Sequence, residues 1–139
     1  MKHHRHRLLL LGLTAALLAG CQTPPGSYEP LDTTKYTIEN TNKFEPLDQG
    51  TQVSIACTGL QERILPDGRL EVVANVKNRE NRRRQVQLDC VFKNEQGFST
   101  GDETPFRNLT LAENSTEAVK FTSMNNLARK YTIRVREPR

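Results

Sequence analysis

Apolar and polar residues alternate along most of the chain after about Thr51. Val53, Ile55 and Cys57 alternate with polar neighbours, and so do Leu70, Val72, Ala74 and Val76. The pattern returns at Val86, Leu88, Cys90 and Phe92, at Val119 and Phe121, and at Tyr131, Ile133 and Val135. A period of two turns one face of each segment toward a core and the other toward water, so each predicts a β-strand. No stretch carries a long helical period; Asn125 to Lys130 is read as at most one helical turn.

Turn residues separate the runs. Pro66-Asp67-Gly68 divides 60–65 from 69–77 and reads as a hairpin turn. Asn94-Glu95-Gln96-Gly97 and Glu113-Asn114-Ser115 read as further turns, and the polar stretch from Asn78 to Arg83 joins two strong strands. About seven short strands at this spacing predict an all-β domain, an immunoglobulin-like antiparallel β-sandwich over 44–139.

The first twenty residues follow a different pattern. Met1 to Arg7 is basic, Leu8 to Leu18 is apolar, and Leu18-Ala19-Gly20-Cys21 closes the segment. This is the three-part layout of an export signal, and its apolar run is shorter than the roughly 20 residues of a spanning helix. The last four residues resemble the lipobox of bacterial lipoproteins. That resemblance implies cleavage before Cys21, lipid on the cysteine sulfur and a chain held on a membrane by it. Gln22, where an Asp would retain a lipoprotein in the inner membrane, implies delivery to the outer membrane with the domain facing the periplasm. Residues 21–43 then form the lipidated N-terminus and a tether. Pro24, Pro25, Gly26, Ser27 and Pro30 are too poor in apolar area to fold alone. Within it Tyr36-Thr37-Ile38 is a candidate first strand, and Phe44 to Asp48 is expected to seal one end of the domain.

Cleavage changes the charge balance. The whole chain carries 20 Lys and Arg against 16 Asp and Glu. Losing Lys2, Arg5 and Arg7 leaves 17 against 16, a nearly neutral protein without the footprint of a nucleic-acid binder. His3, His4 and His6 leave with the signal, which removes the commonest general base and metal ligand. No cofactor and no metal site are expected.

The stretch from Gly68 to Arg136 resembles the YcfL-like family of bacterial lipoproteins. The resemblance is carried by Arg69-Leu-Glu-Val-Val-Ala-Asn-Val-Lys-Asn78, by Val86-Gln-Leu-Asp-Cys-Val-Phe92 with the Gln96-Gly97 turn, by Pro105-Phe-Arg-Asn-Leu109 and by Tyr131-Thr-Ile-Arg-Val-Arg136. It implies a small periplasmic sandwich with an envelope role and supplies no catalytic residues.

Four sets of residues remain as candidate chemistry. Cys57 and Cys90 both fall on the inward series of their strands. They are read either as a disulfide, which an oxidising periplasm permits, or as two buried thiols. Arg79, Arg82, Arg83 and Arg84 surround Glu80 in one loop. They are read as a docking patch for an acidic partner or as a solvated hairpin protecting a sheet edge. That patch gains weight if Arg129, Lys130, Arg134, Arg136 and Arg139 converge with it. Glu95, Asp102, Glu103, Glu113 and Glu117 read as surface loop residues, with a glycosidase-like carboxylate pair as the sharper alternative. Asn108-Leu-Thr110 and Asn114-Ser-Thr116 match the glycosylation sequon and read as turn and strand-start chemistry.

The sequence therefore predicts a non-catalytic, lipid-anchored binding or adaptor module with an envelope protein as partner. A structural lipoprotein touching peptidoglycan or lipopolysaccharide through the arginine loop is the first alternative, and an envelope hydrolase the second.

Overall fold

The computed structural model describes residues 43–139. Cys21 and the candidate strand at Tyr36-Thr37-Ile38 lie outside them. Eight strands and one short helix run in the order β1 (Phe44–Pro46), α1 (Gln49–Ser54), β2 (Ile55–Ile64), β3 (Leu70–Asn78), β4 (Arg84–Lys93), β5 (Ser99–Glu103), β6 (Arg107–Leu111), β7 (Thr116–Thr122) and β8 (Lys130–Arg136). They form a sandwich of two sheets. One has the order β1-β8-β4-β5, with β6 also pairing β4; the other has the order β2-β3-β7. All pairs are antiparallel except β1 with β8, which runs parallel, Phe44 opposite Ile133.

The alternation places the core as expected. Val72, Ala74 and Val76 of β3 face Val86, Leu88, Cys90 and Phe92 of β4, and all are fully buried. Ile133 and Val135 of β8 and Phe121 of β7 complete the packing. Phe44 is buried with them, so the segment from Phe44 does close the domain, as a short edge strand that tolerates Pro46.

Three local predictions are corrected. Val53 does not begin a strand; it lies in α1, and β2 starts at Ile55. The reason is Asp48, whose carboxylate accepts the Thr51 N–H at 2.8 Å as a helix cap, while Ser54 Oγ donates to the Gly50 carbonyl at 2.6 Å. Asn125 to Lys130 is not helical. Its backbone is held from outside: Leu70 N–H donates to Ser123 Oγ, whose hydroxyl donates to the Asn125 carbonyl. The stretch from Asn78 to Arg83 is not a hairpin, because β3 and β4 belong to different sheets and it crosses between them.

Strands β5 and β6 escaped the alternation because Ser-Thr-Gly-Asp-Glu and Arg-Asn-Leu-Thr-Leu carry little apolar signal. They pair successive halves of the same edge of β4, β6 at Arg84 to Leu88 and β5 at Val91 and Lys93. Thr104 bridges the gap, exchanging hydrogen bonds with the Cys90 backbone.

The registers fix what lies at each end of the sandwich. Lys43 at the start of β1, the β2–β3 turn, the β4–β5 turn and the β7–β8 loop share one end, where Lys93 lies opposite Lys130 and Leu70 accepts from Ser123 N–H. Gly68 and Gly97 supply the positive φ that two of these turns require. The α1 helix, the β3–β4 crossover, the β6–β7 turn and the C-terminus share the other end, joined by Arg79 N–H to the Ser54 carbonyl and Asn114 N–H to the Glu80 carbonyl.

Candidate functional site

The arginine loop is organised around a buried anion. Glu80 is fully buried, and Arg82 Nε lies 2.7 Å from its Oε2. Arg84 Nε lies 3.9 Å from the same oxygen, and Arg84 also reaches Glu137 Oε1 at 3.0 Å. Asn78, itself fully buried, donates to the Arg82 carbonyl at 2.7 Å and the Ala112 carbonyl at 2.9 Å, and accepts the Glu80 N–H at 3.0 Å. Arg82 and Arg84 thus serve the crossover itself. Of the four candidate docking residues, Arg83 is the most exposed.

The second basic set is divided between the two ends. Arg129 and Lys130 lie beside the β4–β5 turn. Arg136 lies toward the opposite end on the outer face of the larger sheet, beside Gln87, whereas Arg84 shares the parity of buried Val86 and Leu88 and pairs with Glu137. Both guanidinium groups already have acceptors. Arg136 Nε donates to Gln87 Oε1 at 3.0 Å, and its guanidinium stacks 3.6 Å from the Phe106 ring centroid.

The outer face of the larger sheet holds an ion network that the sequence did not reveal. Asp89 points away from the apolar core, yet is fully buried. Arg134 covers it, donating from Nε to Asp89 Oδ1 at 2.9 Å and from Nη2 to Asp89 Oδ2, and also pairing with Glu103. These acceptors hold the Arg134 guanidinium above its ordinary value, the Asp89 hydrogen bonds outweighing its partial burial. Phe106 lies over the same guanidinium, 5.5 Å from its centroid.

The remaining carboxylates do not pair. Asp102 is buried and accepts the N–H groups of Met124 and Asn125, fixing the β7–β8 loop. Glu103 serves Arg134. Glu95, Glu113 and Glu117 stand on the β4–β5 turn, the β6–β7 turn and β7. Asn114 takes the positive φ of its turn and Thr116 opens β7, which fits the turn and strand-start reading. Among the described residues no group of His, Cys, Asp and Glu is placed to hold a metal ion.

Cys57 and Cys90 are both buried, and both are free thiols in the structure. They sit on opposite sheets, β2 and β4. Cys57 donates to the Gly59 carbonyl at 3.5 Å. Burial raises both thiols above their ordinary value, and for Cys90 the Asp89 and Asp102 charges add to the rise.

Comparison with known proteins gives the fold a precedent. No family model and no curated protein matches the chain. Solved structures do match, two of them as follows. The Campylobacter jejuni protein cj0090 is 16% identical with a TM-score of 0.55, the match covering 70% of this chain and 99% of that one. A DUF1425 family member from Shewanella sp. pv-4 is 19% identical with a TM-score of 0.56, covering 67% and 87%. At these identities the likeness is one of fold.

The smaller sheet offers the most accessible recognition surface. Among the described residues its edge strand β2 pairs with β3 on one side only, and Gln61, Glu62, Arg63 and Ile64 are all exposed. Beside that edge is a shallow recess of about 230 Å³ lined by Gln61, Arg63, Glu71 and Val73. Within it Arg63 Nε donates to Glu71 Oε1 at 2.7 Å, and Lys120 Nζ lies 3.8 Å from Glu71 Oε2. The opposite edge, β7, is partly closed. Arg107 reaches across from the other sheet to the Lys120 carbonyl and stacks 4.4 Å from the Phe121 ring centroid. Neither the β2 edge nor the recess carried a sequence signal beyond ordinary alternation.

Proposed function

We propose that this chain is a lipid-anchored envelope lipoprotein of the YcfL-like kind whose β-sandwich binds a protein partner without catalysing a reaction. The observation that carries the reading is the outer edge of β2 at Gln61 to Ile64, which pairs with no other strand among the described residues and lies beside a polar recess. An unpaired edge offers backbone hydrogen bonds to an added strand, and a neighbouring recess selects its side chains. The export segment ending at Cys21 supports the anchored half of the reading, and Gln22 supports the outer membrane with the domain in the periplasm.

Two experiments test it. A photo-crosslinking residue at Gln61 in intact cells is expected to capture one discrete protein, with no such product from the same residue at Asn108 on β6. Equal capture at both positions, or at neither, removes the β2 edge from the proposal. Palmitate labelling of the full chain is expected to disappear in Cys21→Ser; labelling that persists would refute the anchor.

A further inference from the structure

Among the described residues five large apolar side chains are more than two-fifths exposed: Leu47, Ile64, Phe98, Met124 and Leu127. Four of them, all but Leu47, lie at the end of the sandwich where the chain enters β1. Phe98 tips the β4–β5 turn at 71% exposure, and Met124 and Leu127 tip the β7–β8 loop at 84% and 60%. Their exposure is built in. Buried Asp102 accepts the Met124 and Asn125 N–H groups, Asn125 Oδ1 accepts the Leu127 N–H at 3.0 Å, and buried Ser123 donates to the Asn125 carbonyl at 2.8 Å. The loop backbone is satisfied from beneath while Met124 and Leu127 are left outside. Apolar groups clustered in this way on a small domain mark a contact surface.

We propose that this end seats on the surface of the bilayer, with Phe98, Met124 and Leu127 entering the headgroup layer. The inference rests on the lipid anchor at Cys21. Two further observations select a lipid surface as the occupant. The first is where the chain leads. The residues from Cys21 to Asn42 join the domain at Lys43, on this same end. Their contour, at no more than about 3.5 Å per residue, keeps the domain within roughly 75 Å of the anchoring cysteine. The anchor therefore holds these tips at high effective concentration beside the membrane. The second is charge. Arg129 and Lys130 are exposed beside the apolar tips with Lys93 close by, against Glu95, while Arg69 and Asp67 neutralise each other at 2.6 Å. A cationic rim around apolar tips matches an anionic headgroup layer. The arginine loop lies at the far end and takes no part.

The chain has no Trp, so one introduced Trp is a unique reporter. Full-length, lipidated Phe98→Trp and Leu47→Trp variants would be reconstituted into phosphatidylethanolamine–phosphatidylglycerol vesicles whose acyl chains carry bromine. Met124→Trp gives a second reporter at a still more exposed position. The expected result is flotation of all three, with emission at positions 98 and 124 falling roughly twofold or more and Leu47→Trp unchanged. Flotation with no quenching at positions 98 and 124 overturns the seating and leaves the anchor standing. Failure to float overturns the anchor, and the seating with it. Unquenched emission that shifts with protein concentration would assign the surface to a second copy of the chain and overturn the proposal.

Discussion

Arg134 on β8 holds the carboxylate of Asp89 on the neighbouring β4 from two directions, on the outer face of the larger sheet. The Asp89 side chain has no exposure of its own, and Arg134 is about one-quarter exposed. Removing the guanidinium takes away both of the carboxylate's charge-assisted hydrogen bonds, which entering water restores only in part, at a cost of about 1.5–3 kcal/mol. Arg134→Ala is expected to lose stability in that range in urea unfolding. Asp89→Asn with Arg134→Leu, which removes both charges, is expected to lose less than Arg134→Ala alone.

The arginine loop makes a contrasting pair of predictions. Arg82 satisfies buried Glu80, so Arg82→Ala is expected to cost about 2–3 kcal/mol, at the lower end for a charge because Arg84 remains near. Arg83 is exposed, and Arg83→Ala is expected to change stability by less than about 0.5 kcal/mol. Denaturant midpoints for the two variants check this. Equal losses would mean that Glu80 is not the centre of the crossover.

Asp48 links the α1 cap to acid stability. Partial burial opposes its charge, but N–H groups from Thr51 and Glu137 and the Thr51 hydroxyl outweigh this and hold the carboxyl below its ordinary value of 3.8. A carboxyl depressed in the folded state stabilises fully above its unfolded pKa, and that contribution is lost as pH falls through the lower folded value. Asp48→Ala is therefore expected to cost about 1 kcal/mol near neutral pH. The gap from the unaltered protein should close as unfolding is followed below the ordinary value.

The two buried thiols predict a chemical result. Iodoacetamide at neutral pH should leave Cys57 and Cys90 unmodified in the folded protein, since both are buried and held above the ordinary thiol range. In denaturant without reductant, peptide mapping should find both alkylated. Unmodified cysteines after denaturation would reveal a bridge.

The strands whose inner faces are continuously apolar were legible in the sequence. Val86, Leu88, Cys90 and Phe92 all point where the alternation put them, as do Val72, Ala74 and Val76. Val53 misled because it continues the parity of Ile55 and Cys57. A period of two cannot register a cap, although Asp48 three residues before Thr51 was present as a signal. Strands β5 and β6 were hidden because each covers only half an edge and carries little apolar area. Glu80 among arginines gave no sign of its burial. Asp89 gave no sign at all. Its burial depends on Arg134, forty-five positions later, and on strands β4 and β8 lying side by side. The apolar tips at Phe98, Met124 and Leu127 were equally silent, since isolated apolar residues in loops gain meaning only when the fold gathers them at one end.

The parallel pairing of β1 with β8 has a consequence for the order of assembly. A chain that emerges N-terminus first presents Phe44 to Pro46 long before their partner at Ile133 to Val135 exists. Strand β4, the middle of the larger sheet, also waits for β8 on one side. The smaller sheet has all three of its strands by Thr122 and is able to pair earlier. Closure of the larger sheet is thus a late event that only the complete chain can perform. A product truncated before Lys130 would leave both β1 and one edge of β4 unpaired, with the aggregation hazard that open strand edges carry.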